Sequence, residues 1–167
     1  MSTYSPWASG LGNSAAYQVS GKPYLTGSVV EAEGSAAFGA RNEYKVQFPT
    51  VTKYVRVINY CTSSELAVYF VPKATTPAVA TGIHYYVIPP ALATNSPSTG
   101  SFEAHIKCKE LYITAAPLGG LIAGPAAGAV NAGSFGVYAE LTGIDKADMY
   151  ALTGSGISVS TWSDGQH

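Results

Sequence analysis

The side chains with which this sequence could do acid–base chemistry are few: His84, His105 and His167, the aspartates Asp145, Asp148 and Asp164, and a handful of glutamates. A serine triad needs a base and an orienting acid held beside a nucleophile. His84 and His105 qualify only by residue type, since no Gly-x-Ser-x-Gly elbow is present. Both read more simply as strand residues with a solvated polar tip. Glu103 and Glu110 lie on one segment and invite comparison with the carboxylate pair of a glycosidase, but charges on an exposed strand face account for them better. Asp145 and Asp148 offer two oxygens in a turn, too few for a calcium cage. Neither a P-loop nor a dinucleotide-binding glycine motif occurs. Two cysteines, Cys61 and Cys108, make neither a disulfide framework nor a metal cluster and read as small, partly buried thiols. No catalytic, cofactor-binding or metal-ligating residue is assigned, and an enzyme is not expected.

Tyrosine is the residue used freely, with 12 copies. Tyr54, Tyr60, Tyr69, Tyr85, Tyr86, Tyr112 and Tyr138 fall in predicted strands, and Tyr54, Tyr60, Tyr69 and Tyr138 take the phase opposite the aliphatic residues. Exposed tyrosines on a sheet stack against sugars or bury themselves in a partner. They also suit a strand surface by propensity. All three readings stay open at this point.

The elements that must carry these residues show a period of two. Glu43–Phe48 alternates apolar and polar residues. Lys53–Tyr60 places Val55 and Val57 inward, and Thr62–Glu65 is a turn. Leu66, Val68 and Phe70 then alternate with Ala67, Tyr69 and Val71 until Pro72. His84–Ile88 stops at Pro89-Pro90, between two loops rich in Thr, Ser and Pro. Phe102, Ala104, Ile106 and Cys108 share a face, and the alternation slips at Lys109-Glu110. A one-residue slip would send side chains to the wrong face, so a β-bulge or strand corner is predicted there. A low-complexity loop over 115–133 precedes a last well-marked strand with Phe135, Val137, Ala139 and Leu141 on one face. Asp145–Tyr150 is the one candidate helical turn, capped by Asp145.

About seven to nine short strands at roughly ten-residue spacing describe an all-β, single-domain sandwich or jelly roll. Residues 1–40 form an N-terminal arm with lead-in strands, and 41–167 form the sandwich. Within the lead-in, Tyr17–Thr26 places a short strand on each side of a Gly-Lys-Pro turn. The arm carries Tyr4, Pro6 and Trp7, which are candidate partner contacts because aromatic anchors dominate contact energetics.

Charged residues make up 11% of the chain, against about 25% in an average domain. A surface of Ser, Thr, Ala, Gly and Tyr is poorly protected by charge against contact with other molecules. The net charge of −1 and scattered basic residues give no footprint for nucleic acid. The most apolar region, 118–130, is short and interrupted by Pro125, so no membrane span is expected. Met1–Trp7 lacks the basic and apolar regions of a secretory signal, which makes synthesis in a cytoplasm the expectation.

Three phrases carry a resemblance: Phe48-Pro49-Thr50-Val51-Thr52-Lys53-Tyr54, Cys108-Lys109-Glu110-Leu111-Tyr112-Ile113 and Ala139-Glu140-Leu141-Thr142-Gly143-Ile144. They resemble small virion proteins of tailed bacteriophages, particularly the jelly-roll or β-sandwich decoration (cement) proteins of the head. Tyr17–Tyr24 is similar to the lead-in such proteins carry, and the match covers about residues 17–144. The resemblance implies a non-enzymatic subunit without cofactors, often a homotrimer, which sits on the capsid surface and bridges neighbouring major capsid proteins. A tail, baseplate or head-fibre subunit, with glycan binding by its tyrosines, is the alternative.

Overall fold

The computed structural model describes residues 23–36, 40–73, 85–91, 100–117 and 128–149. Among them are ten strands: β1 (Pro23–Val30), β2 (Glu33–Ala36), β3 (Tyr44–Gln47), β4 (Thr50–Asn59), β5 (Ser64–Tyr69), β6 (Tyr86–Ile88), β7 (Ser101–Ala104), β8 (Glu110–Pro117), β9 (Gly128–Val130) and β10 (Gly133–Asp145). Eight of them form two four-stranded antiparallel sheets, ordered β1-β10-β4-β7 and β3-β8-β5-β6, while β2 and β9 form a separate ribbon. The molecule is an all-β sandwich, as the period-two pattern requires.

Alternation decides which residues meet between the sheets. Val55 and Val57 of β4 and Phe135, Val137, Ala139 and Leu141 of β10 point inward from one sheet. Val46, Leu66, Val68, Ile88, Leu111, Ile113 and Ala115 come from the other, all in one core cluster. Each fully buried aliphatic side chain contributes about 1.5–3 kcal/mol. The predicted slip is a corner. The strand run stops at Ala104, the chain bends at Lys109, and β8 begins at Glu110 in the opposite sheet.

Two departures from simple alternation have local causes. In the β10–β4 pairing, Glu140 faces Tyr54 but the next residue, Leu141, faces Thr52. Lys53 is therefore an extra residue, a β-bulge that turns Thr52 inward, where it is fully buried. The second departure is in β5 and β8, whose residues are buried on both faces. Ala67, Tyr69, Tyr112 and Ala116 form a second cluster on the far side of that sheet, with Tyr85 and Val87 packed against it.

Inside the body, Asn59 is held by four hydrogen bonds. Asn59 Nδ2 donates to the carbonyl oxygens of Ser64 (2.9 Å), Ile88 (3.2 Å) and Pro89 (3.1 Å), and its Oδ1 accepts from Cys61 N at 2.9 Å. One side chain thereby fixes the start of β5, the end of β6 and the exit of β4. After β10, Asp145 caps a single 3-10 turn over Lys146–Asp148 and accepts from Ala147 N at 2.8 Å, as its sequence predicts.

Where the sequence pattern was weak, the structure differs. The segment read as one loop over 115–133 contains the end of β8 and all of β9. The first strand flanking the Gly-Lys-Pro turn lies outside the described residues, whereas the second is β1, paired with β10 along all of Pro23–Val30.

Candidate interaction surface

Among the described residues, the groups singled out for acid–base chemistry lie apart. Glu103 faces Arg56 across β4 and β7, with its Oε1 3.0 Å from Arg56 Nε, an ion pair out of line for a hydrogen bond. Glu110 pairs with Lys45 at 2.9 Å and accepts from the Tyr112 hydroxyl at 2.8 Å. Burial pushes the Glu110 carboxyl up, but these two donors outweigh it and hold its pKa below the usual carboxylate range. His105 is exposed beside the Tyr54 ring, with centroids 5.1 Å apart. His84, Asp164 and His167 lie outside the described residues, as do Tyr4, Pro6 and Trp7. Among the described residues, no three of His, Cys, Asp and Glu gather as a metal site, and no helix is long and apolar enough to cross a membrane.

Both cysteines are free and fully buried, more so than their sequence setting suggested. Burial raises the Cys61 thiol pKa and takes that of Cys108 to about 11, although a Thr52 hydrogen bond pulls the latter back. Such thiols are poor nucleophiles.

Two shallow concavities lie among the described residues. A cleft of about 350 Å³ opens between the sheet edges β1 and β3, lined by Tyr24, Thr26, Ser28, Tyr44, Val46 and Phe135 among others. Tyrosines lace its two edges together: the Tyr24 hydroxyl donates to Gln47 O at 3.4 Å, and the Tyr44 hydroxyl accepts from Glu31 N at 3.0 Å. A second depression of about 380 Å³ is bordered by Gln47, Lys109, Glu110, Lys146 and Ala147. Glu43 and Lys45 also line the first, but Glu43 accepts from Tyr69 and from Lys73 N, and Lys45 is paired with Glu110.

The open feature is the outward face of the β1-β10-β4-β7 sheet. Register places Leu25, Tyr138, Arg56 and Glu103 in one row across all four strands. Beside it run Pro23, Glu140 and Tyr54, and on the other side Gly27, Gly136, Ile58 and Ser101. Leu25 is 75% exposed, Val29 64% and Tyr60 49%. The rings of Tyr54 and Tyr138 meet edge-on at 6.1 Å, and the Tyr60 ring lies over Gly136. Burial, followed by the nearby Glu103 carboxylate, raises the Tyr54 pKa, so its phenol stays neutral. The charges on this face cancel locally, since Arg56 faces Glu103 and Lys53 Nζ lies 3.9 Å from Glu140. The result is a neutral, aromatic and aliphatic plane with polar tips, the composition that favours contact with another macromolecule.

The four tyrosines predicted to share the outward phase divide into two groups. Tyr54, Tyr60 and Tyr138 belong to the open face. Tyr69 does point away from the core, but it is only 1% exposed. It stacks on Tyr112 at 6.0 Å with 10° between the planes, and its hydroxyl meets Thr114 Oγ1 at 2.6 Å and Glu43 Oε2 at 2.8 Å. Around it, Lys73 N donates to Glu43 Oε2 at 2.9 Å and Lys73 Nζ to Arg41 O at 2.6 Å. Strand phase gives the side of a sheet, not whether that side is covered. This polar knot holds the covered face together and offers no site for chemistry. Searches of protein-family models, of curated proteins and of solved structures find no match to this chain.

Proposed function

We propose that this chain is a structural subunit of a virus particle, a decoration or cement protein on the head of a tailed bacteriophage that bridges neighbouring major capsid proteins and contacts copies of itself. The observation that carries this reading is the open face of the β1-β10-β4-β7 sheet, a neutral plane bearing Leu25, Val29, Tyr54, Tyr60 and Tyr138 on a rigid two-layer body. The three virion-like phrases support it, and two of them supply parts of that sheet, in β4 and β10. The mechanism is mechanical. Modest contacts repeated by symmetry raise the work needed to separate shell proteins under internal pressure, and none of them requires turnover. No cofactor enters, and the role places the chain on the outer capsid surface after synthesis in the host cytoplasm.

The same tyrosines favour a second reading, a tail, baseplate or head-fibre subunit that binds host glycan. Incubating the full chain with expanded empty phage shells, followed by sedimentation, separates the two. Saturable co-sedimentation that is lost in a Tyr54→Ala/Tyr138→Ala variant supports the decoration role. A chain that ignores shells but binds a glycan array overturns it in favour of the rival, and failure in both assays overturns both.

A further inference from the structure

Among the described residues the sandwich has four sheet edges, and three of them are guarded. Edge β7 is four residues long and carries Glu103, with His105 and Lys107 just beyond it. Edge β3 is four residues long with Lys45 in it and Glu43 before it. Edge β6 has three residues and runs into Pro89-Pro90. Short length, charge and proline are the devices that stop an edge from pairing with another chain.

Edge β1 has almost none of them. It runs for eight residues, Pro-Tyr-Leu-Thr-Gly-Ser-Val-Val, with no charge inside it, Lys22 and Glu31 standing just beyond its ends. Its register with β10 is unbroken from Pro23 to Val30, so no bulge twists it away. Proline stands only at its first position. Its outward side chains Leu25 and Val29 are 75% and 64% exposed.

We propose that β1 pairs with β1 of a second copy, antiparallel, about a two-fold axis at Gly27, joining two four-stranded sheets into one of eight. The register follows from the pleat. A continuous sheet must keep outward residues opposite outward residues, which restricts the axis to a residue position rather than a point between two residues. An axis at Thr26 would set Leu25 against Gly27 and Val29 against Pro23. An axis at Gly27 sets Leu25 against Val29 twice and so covers the two most exposed apolar side chains of the strand. On the inward side it sets Thr26 against Ser28 and Tyr24 against Val30, both favourable cross-strand pairs. Glycine at the centre is required within each copy as well, because a Cβ there would lie 2.7 Å from Phe135 O. The interface is isologous and therefore closes at two copies. It leaves the two open tyrosine faces side by side on one surface. This pairing does not depend on the decoration role, since it stands on the edge alone.

Substitutions at positions 25 and 29 test the register, and exposure of both side chains leaves the monomer fold intact. Native mass measurement or sedimentation of the full chain is expected to find a dimer. Leu25→Lys with Val29→Lys opposes like charges twice and should weaken self-association about tenfold or more. Leu25→Lys with Val29→Glu opposes unlike charges twice and should restore it. A monomer or a trimer for the unchanged chain overturns the proposal, and so does a dimer on which the two double variants act alike.

Discussion

The hydroxyl of Thr52 is wedged against Cys108. It lies 2.8 Å from the carbonyl oxygen of Ile106, accepts from Cys108 N at 3.1 Å, and sits 3.2 Å from Cys108 Sγ. The bulge at Lys53 turns Thr52 inward, and the corner before β8 brings Cys108 to meet it. One hydroxyl thus satisfies the irregular backbone where the chain crosses between sheets.

Replacing Thr52 with Val keeps the shape and removes the acceptor, leaving the buried Cys108 amide without a partner. Denaturant unfolding should show a loss of about 1–3 kcal/mol, with Thr52→Ser losing less. Equal stability of Thr52→Val and the unchanged chain would contradict this role.

The burial of Cys108 predicts a pH dependence, which the Thr52 contact moderates. Burial raises the Cys108 pKa from its ordinary 9.0 to about 11. The folded state therefore holds this proton more tightly than the unfolded chain does. The associated stability is complete below about pH 9 and is lost as pH rises through about 11, a fall of about 3 kcal/mol. Unfolding midpoints measured from pH 8 to 11 on the chain and on Cys108→Ala, whose slope should be shallower, check the assignment. A thiol reagent at pH 8 should label neither Cys61 nor Cys108 until denaturant is added.

Tyrosines on the two sheets should answer mutation differently. Tyr69→Ala empties a covered site and should cost about 3–5 kcal/mol, while Tyr69→Phe removes the hydroxyl's bonds to Thr114 and Glu43 and should cost about 1–3 kcal/mol. Tyr60→Ala, on the open face, should stay within about 1 kcal/mol. Thermal melts of the three variants suffice, and a Tyr60 loss as large as that of Tyr69 would mean that the open face is not free.

Much of this division was legible in the residues. The alternation of β4, β5 and β10 placed Val55, Val57, Leu66, Val68, Phe135 and Val137 inward correctly, and it put Tyr54, Tyr60 and Tyr138 outward, where the open face lies. The slip at Lys109-Glu110 marked the corner because polar neighbours cannot both point away from a core. Three features were not legible. β9 is built from Gly, Ala and Val, with no polar residue to set a period. The inward turn of Thr52 depends on a bulge that only the partner strand defines. The covering of Tyr69 is a property of what packs on a sheet, which strand phase does not encode.

The pairing of Pro23 with Glu140 has a mechanical corollary. The beginning of β1 lies beside the later part of β10, so tension applied at these two points would peel the strands apart one rung at a time, like a zip fastener. A load spread across the flat of the sheet would instead meet every rung together. A body with this wiring holds best when gripped by its broad side and poorly when tugged at Pro23 and Glu140.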